Sequence, residues 1–183
     1  DLNIARNPDD ADTYFKSTPD DKGFNQCHLN ALFDLCDKRY VDVVIQPSRK
    51  ENESLAMTQM VDRYNGDKNT IFIADRGYET YNIFAHVKEK GMFYLVRVKD
   101  GGGGSMVGSF RLPTCDEFDH DVKLVLTRKQ TNEVKEHPGK YKILPNSSPF
   151  DYLDLHKNKF YPMTFRVVRF AITATTYECI ITN

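Results

Sequence analysis

A short apolar run that ends on a carboxylate constrains this chain more than any other stretch. Thr70-Ile71-Phe72-Ile73-Ala74 leads straight into Asp75, and Arg76-Gly77-Tyr78 follow before a helical pattern begins. A continuous β-favouring run between turn signals reads as a strand buried on both faces. Such strands lie inside open α/β sheets, which bind ligands beyond the C-terminal ends of their strands. Asp75 is therefore expected at the mouth of a sheet. The plain alternative is an N-cap for the helix that follows, since Asp is a favoured cap. Local pattern leaves both roles open.

The flanking patterns extend this reading. Met57, Met60, Val61 and Tyr64 recur at i, i+3, i+4, i+7, so 52–65 is expected as a helix with a core-facing stripe and Gly66 at its C-terminal cap. Ile83, Phe84 and Val87 mark a second helix over about 80–90, stopped by Gly91. Phe93 to Lys99 reads as a strand. The strands at 70–74 and 93–98, joined through a helix, make a βαβ unit that should be parallel and right-handed. Upstream, Leu29, Ala31, Phe33 and Leu35 alternate with more polar positions. With a turn at Asp37-Lys38-Arg39 and a second strand to Ile45, 27–46 is expected as a hairpin. Residues 1–26 read as a polar loop after a strand end at 1–5, with Tyr14 and Phe15 tacking it down.

Beyond residue 106 helical periodicity fades. Strands are expected at 121–127 and 141–144, then a turn-rich loop from Pro145 to Asp154. A hairpin over 163–173 and 177–182, turning at Ala174-Thr175-Thr176, closes the chain. Gly101-Gly102-Gly103-Gly104-Ser105 is flexible by composition and equally a native loop or an engineered linker. The expected division is a partial α/β core over 1–100, that glycine-rich stretch over 101–105, and a mainly antiparallel β subdomain over 106–183.

Composition sets bounds. A net charge of −1, from 25 basic and 26 acidic residues, gives no general attraction to nucleic acid, so any DNA contact must be local. No apolar run reaches the length of a membrane span, and the start carries neither Met nor a signal-peptide pattern. The chain reads as a piece of a longer protein. Cys27, Cys36, Cys115 and Cys179 show no CxxC spacing, which fits a reduced cytoplasmic compartment. Cys115 and His120 lack a second pair to close a zinc site.

Four segments in order now resemble one family. Gly23-Phe24-Asn25-Gln26-Cys27-His28-Leu29-Asn30-Ala31-Leu32-Phe33-Asp34-Leu35 is similar to the early strand region of DDE transposases of bacterial insertion sequences. Ile73-Ala74-Asp75-Arg76-Gly77-Tyr78 is similar to the segment carrying their second catalytic aspartate. Phe93 to Lys99 resembles the strand after it, and Phe165 to Asn183 the end of their β-rich insertion. The similarity covers the chain apart from the glycine loop, although Asp-Arg-Gly-Tyr alone is a weak motif.

The resemblance implies an α/β, RNase H-like mixed sheet with flanking helices, followed by a mainly antiparallel β insertion. It also implies three acidic residues on two divalent ions, Mg²⁺ or Mn²⁺. Asp75 then reads as a catalytic metal ligand. The family's first aspartate falls just upstream of residue 1, with Asp1 the weaker candidate. Its third acidic residue is a glutamate on a helix that does not match Glu178, which sits on a strand. Two ions about 3.5–4 Å apart stabilise the attacking and leaving oxygens of phosphoryl transfer. Water would first cut the transposon end, and the freed 3′-hydroxyl would then attack target DNA.

Arg76 beside Asp75, and Arg97 and Lys99 two apart on one strand, are candidate phosphate contacts, with a solvated surface as the plain alternative. Arg49-Lys50 and Arg128-Lys129 are expected in solvated turns, and His28 as a hydrogen-bonded structural residue. The expected parent is thus a transposase acting on transposon ends and target DNA. It would work as a homodimer in the cytoplasm, at the nucleoid and away from membranes, and the isolated fragment would be inactive. The alternatives are a non-catalytic DNA-binding or dimerisation module and an RNase H-like nuclease.

Overall fold

The structure is a computed structural model that describes residues 1–100, 105–154 and 159–183. Two compact units divide it, Asp1–Tyr64 and Asn65–Asn183.

In the first unit, the alternation from residue 27 folds as the expected hairpin. Strands β1 (Leu2–Ile4), β2 (Tyr14–Phe15) and β4 (Arg39–Pro47) all pair antiparallel with β3 (Phe24–Asp34). The hairpin turns where expected. The Asp34 carboxylate accepts the N–H groups of Cys36 and Asp37, and Lys38 takes a left-handed φ of 58°. Helix α1 (Glu53–Arg63) starts at Asn52, whose side chain accepts the Leu55 N–H at 2.9 Å. Ala56, Met57, Met60 and Val61 fill its buried side. It ends earlier than expected. Tyr64 turns extended and its N–H donates back to Met60 and Val61, so Gly66 is not the cap.

In the second unit, β5 (Ile71–Ala74), α2 (Tyr81–Glu89) and β6 (Phe93–Val98) form the expected βαβ unit, with β5 and β6 parallel. Thr80 caps α2 by accepting the Ile83 N–H at 3.3 Å. Gly91, at φ 67°, ends it with its N–H on the Lys88 carbonyl. The remaining elements are β7 (Phe118–Thr127), α3 (Asn132–Glu136), β8 (Tyr141–Ile143), β9 (Phe160–Ala171) and β10 (Tyr177–Thr182). Helix α3 is too short to show a helical period and was not expected. The six strands run in the order β5-β6-β10-β9-β7-β8. Parallel pairs stand at both edges and antiparallel pairs between them. This is the expected α/β class, with a mixed sheet, a few helices and a separate antiparallel sheet, consistent with an RNase H-like fold.

The sheet brings one correction. β5 is an edge strand, with Ile71 and Ile73 more than half exposed (54% and 59%) while Phe72 is buried, so it is not covered on both faces. An apolar run states a strand's composition but not its place in the sheet. β6, just before the glycine stretch at 101–105, pairs antiparallel with β10. Residues 101–104 of that stretch lie outside the described residues. Ser105 is buried, with its hydroxyl donating to the Lys99 carbonyl at 2.8 Å.

The core of this unit lies between α2 and one face of the sheet. Phe84 stacks on Tyr94 with ring centroids 4.4 Å apart, and Phe165 meets Phe84 edge-on at 6.0 Å. The Tyr94 hydroxyl is buried and has no hydrogen-bond partner, and burial pushes its ionisation well above the ordinary phenol range. An unmade buried hydrogen bond costs about 1–3 kcal/mol. Tyr94→Phe keeps the stacked ring and removes that cost. It is expected to stabilise the protein by about 1 kcal/mol, read as a rise of about 2–4 °C in Tm.

The loop before β9 is tied to α2. Asp151 accepts from Asn82 Nδ2 at 2.9 Å and lies 2.9 Å from His86 Nε2, while its own N–H donates to Asn82 Oδ1. The Asn82 bond, reinforced by His86, holds the Asp151 carboxyl below the usual carboxylate range. A depressed folded value means this stabilisation is complete above the unfolded aspartate value of about 3.9. It is lost as pH falls through the lower folded value. Asp151→Ala is therefore expected to destabilise the protein more at pH 6 than at pH 2, as measured by paired denaturation curves.

Candidate active site

Asp75 stands at the C-terminal end of β5, where its Oδ1 accepts the Arg76 N–H at 2.7 Å and opens a 3-10 turn over Arg76–Tyr78. It therefore caps, as its residue type allows. The cap leaves the carboxylate mostly in solvent, 71% exposed. The only described ion pair of Asp75 is with Arg97, whose Nε is 3.4 Å from the same Oδ1. Both contacts fall on one oxygen.

Arg97 is near the end of β6, the neighbour of β5. β10 runs antiparallel to β6 with Ile180 opposite Arg97 and Cys179 opposite Val98. That register sets Glu178 diagonally across from Arg97, and Arg97 Nε is 3.1 Å from Glu178 Oε2. Arg76 reaches the same carboxylate, its NH2 nitrogen 3.0 Å from both oxygens. Glu178 is only 23% exposed. Asp75, Arg76, Arg97 and Glu178 thus meet at one end of the sheet, as two carboxylates and two guanidiniums with no net charge.

The surroundings are held by other pairs. Arg169 forks onto Asp100 at 2.7 and 2.9 Å and lies over the Tyr177 ring. Glu79 accepts the Lys99 N–H at 3.2 Å and also the Met106 N–H, anchoring the chain just past β6. Lys99 is exposed there, with no described side-chain partner. Burial pushes the Cys179 thiol up to about 11, so it is an inert packing group.

Three of the expected residues, Asp75, Arg76 and Arg97, come together, and Lys99 follows two positions after Arg97. Glu178 is the residue that sequence reasoning passed over. On sequence it stands out only as an acid that does not match the family's helix. The signal that finds it is a cross-strand charge pair, visible once β6 and β10 are paired.

The basic pairs expected in solvated turns are structural ties. Arg49 donates to the Tyr14 carbonyl and covers Phe15, and Lys50 pairs with Asp12 at 2.6 Å. Arg128 donates to the Pro145 and Ser148 carbonyls, and Lys129 lies over Phe160. His28 is hydrogen-bonded, 3.0 Å from Asp1 Oδ1, with Glu51 and Glu53 also within 3.3 Å. Asp1, His28 and Glu51 are the one grouping with metal-ligand spacing among the described residues, and it does not include Asp75.

A divalent ion of the Mg²⁺ class takes a few carboxylate oxygens and completes its shell with water and phosphate oxygens. Asp75 fits one such position through its open oxygen. Glu178 does not, because both its oxygens face guanidinium groups. No helix among the described residues is long and apolar enough to cross a membrane.

Neither a curated protein nor a solved structure matches the chain. A family model, the transposase DDE domain, matches residues 4–177. The match takes in the long hairpin, β5 with Asp75, and most of the mixed sheet, and the chain belongs to the transposase DDE domain family.

Proposed function

We propose that this domain cuts transposon ends and joins them to target DNA, with Asp75 as one carboxylate ligand of the divalent ions. The observation that supports this most is the exposed Asp75 carboxylate at a strand's C-terminal end, with an oxygen free of its cap. The neighbouring carboxylates are all occupied: Glu79 by backbone N–H groups, Asp100 by Arg169 and Glu178 by two arginines.

Bound ions supply charge stabilisation of the attacking and leaving oxygens. The chain's own part is to fix Asp75 rigidly through its cap and β5, and to place positive charge beside the scissile phosphate. Arg76, Arg97 and Lys99 are the proposed phosphate contacts, which position DNA without reading sequence. One available carboxylate holds a pair of ions poorly, so residues 1–183 alone are proposed to be inactive.

The test is Mg²⁺-dependent nicking and strand joining on supercoiled DNA by the full-length protein, by its Asp75→Asn variant and by the 1–183 chain. Nicking and joining by the full-length protein alone support the reading. Nicking without joining would make it a nuclease, and undiminished cutting by Asp75→Asn would return Asp75 to a capping role only.

A further inference from the structure

We infer that Glu178 is a positioning residue for Asp75: it draws Arg76 and Arg97 onto itself and so keeps the Asp75 carboxylate available to a divalent cation. This rests on the reading of Asp75 as a metal ligand.

A carboxylate between two guanidiniums is a poor cation ligand, because the fixed positive charges already occupy it and repel a further cation. Asp75 has such neighbours, Arg76 next in sequence and Arg97 on the adjacent strand. Both are turned elsewhere. Arg76 contacts both oxygens of Glu178 at 3.0 Å and makes no described ion pair with Asp75. Arg97 is nearer to Glu178, at 3.1 Å, than to Asp75, at 3.4 Å, and the Asp75 distance lies beyond good hydrogen-bond length. Glu178 is also the less exposed carboxylate, so its attraction is less screened by solvent.

The Arg76 Nε atom is buried without a partner, so among the described residues this side chain is held through its NH2 end by Glu178 alone. With Glu178 neutralised, Asp75 becomes the remaining described carboxylate for Arg97 and the nearest in sequence for Arg76. The same arrangement keeps two positive charges at the site edge, where a phosphate would meet them.

The experiment is a Mn²⁺ titration of the full-length protein followed by electron paramagnetic resonance, with folding checked by thermal melts. Asp75→Ala is expected to remove the tight Mn²⁺ signal. Glu178→Gln is expected to weaken Mn²⁺ binding about tenfold, the order for one uncompensated charge a few ångströms from the ion at a partly exposed site. Glu178→Gln combined with Arg97→Gln is expected to regain most of that loss, because the competing cation has gone. Glu178→Asp keeps the charge and should bind as the unaltered protein does, which covers the case of a Gln variant that folds poorly.

Unchanged Mn²⁺ affinity in Glu178→Gln, with Asp75→Ala impaired, would overturn the positioning role and leave Asp75 as ligand. A loss that the double variant does not recover would make Glu178 a ligand or a structural brace, and would also overturn it. Unchanged affinity in Asp75→Ala would overturn both readings.

Discussion

Asp75→Asn is expected to lower Mg²⁺-dependent cleavage of supercoiled DNA by about a thousandfold, with thermal stability unchanged. The reasoning separates the two jobs of one side chain. Asn and Asp are near-equal N-caps, so the bond to the Arg76 N–H and the 3-10 turn survive the change. The negative charge does not. A metal ion contributes several kcal/mol of transition-state stabilisation, and each 1.36 kcal/mol is tenfold in rate, so losing a ligand removes about three decades. Asp75→Ala should lose the same activity and in addition about 1 kcal/mol of stability, the usual cost of a lost cap. Nicking assays beside denaturation curves read both quantities. An Asn variant that cuts normally would leave only the cap.

The largest stability effect is expected at Phe84. Its ring is fully buried, stacked on Tyr94 and met edge-on by Phe165, and so joins α2 to β6 and β9. Truncation to alanine removes those contacts and leaves a cavity that strands on a sheet cannot collapse into. Phe84→Ala should cost about 3–5 kcal/mol, a large fraction of the roughly 5–15 kcal/mol that holds a typical domain together. Phe84→Leu keeps most of the volume and should cost less than half as much. Urea midpoints for the two variants check the ordering. Equal small losses would mean that this face is loosely packed.

Much of the architecture was legible because it is written in local periodicity. The hairpin of β3 and β4, helices α1 and α2, and the strands around them follow from spacings of 2 and 3.6 residues and from the stop at Gly91, whereas the N-caps Asn52 and Thr80 show only in the structure. Asp75, Arg76 and Arg97 were legible as candidates because an apolar strand ending on a carboxylate marks a sheet mouth. What the sequence determined by itself was therefore most of the elements, their order, and one carboxylate at a strand end.

Tertiary structure decided the neighbours. Ile71 and Ile73 are exposed because their side chains point to an uncovered face of the sheet, where Phe93 of the neighbouring strand is exposed too, and strand order is set by pairing between residues far apart in sequence. Asp151 meets Asn82 and His86 across a separation that no local pattern encodes. Glu178 reaches Arg76 from 102 positions away through the β6–β10 register. Charge pairing acts through space over a few ångströms. The side chain that governs the Asp75 surroundings therefore became identifiable only once the sheet had brought the distant strand alongside.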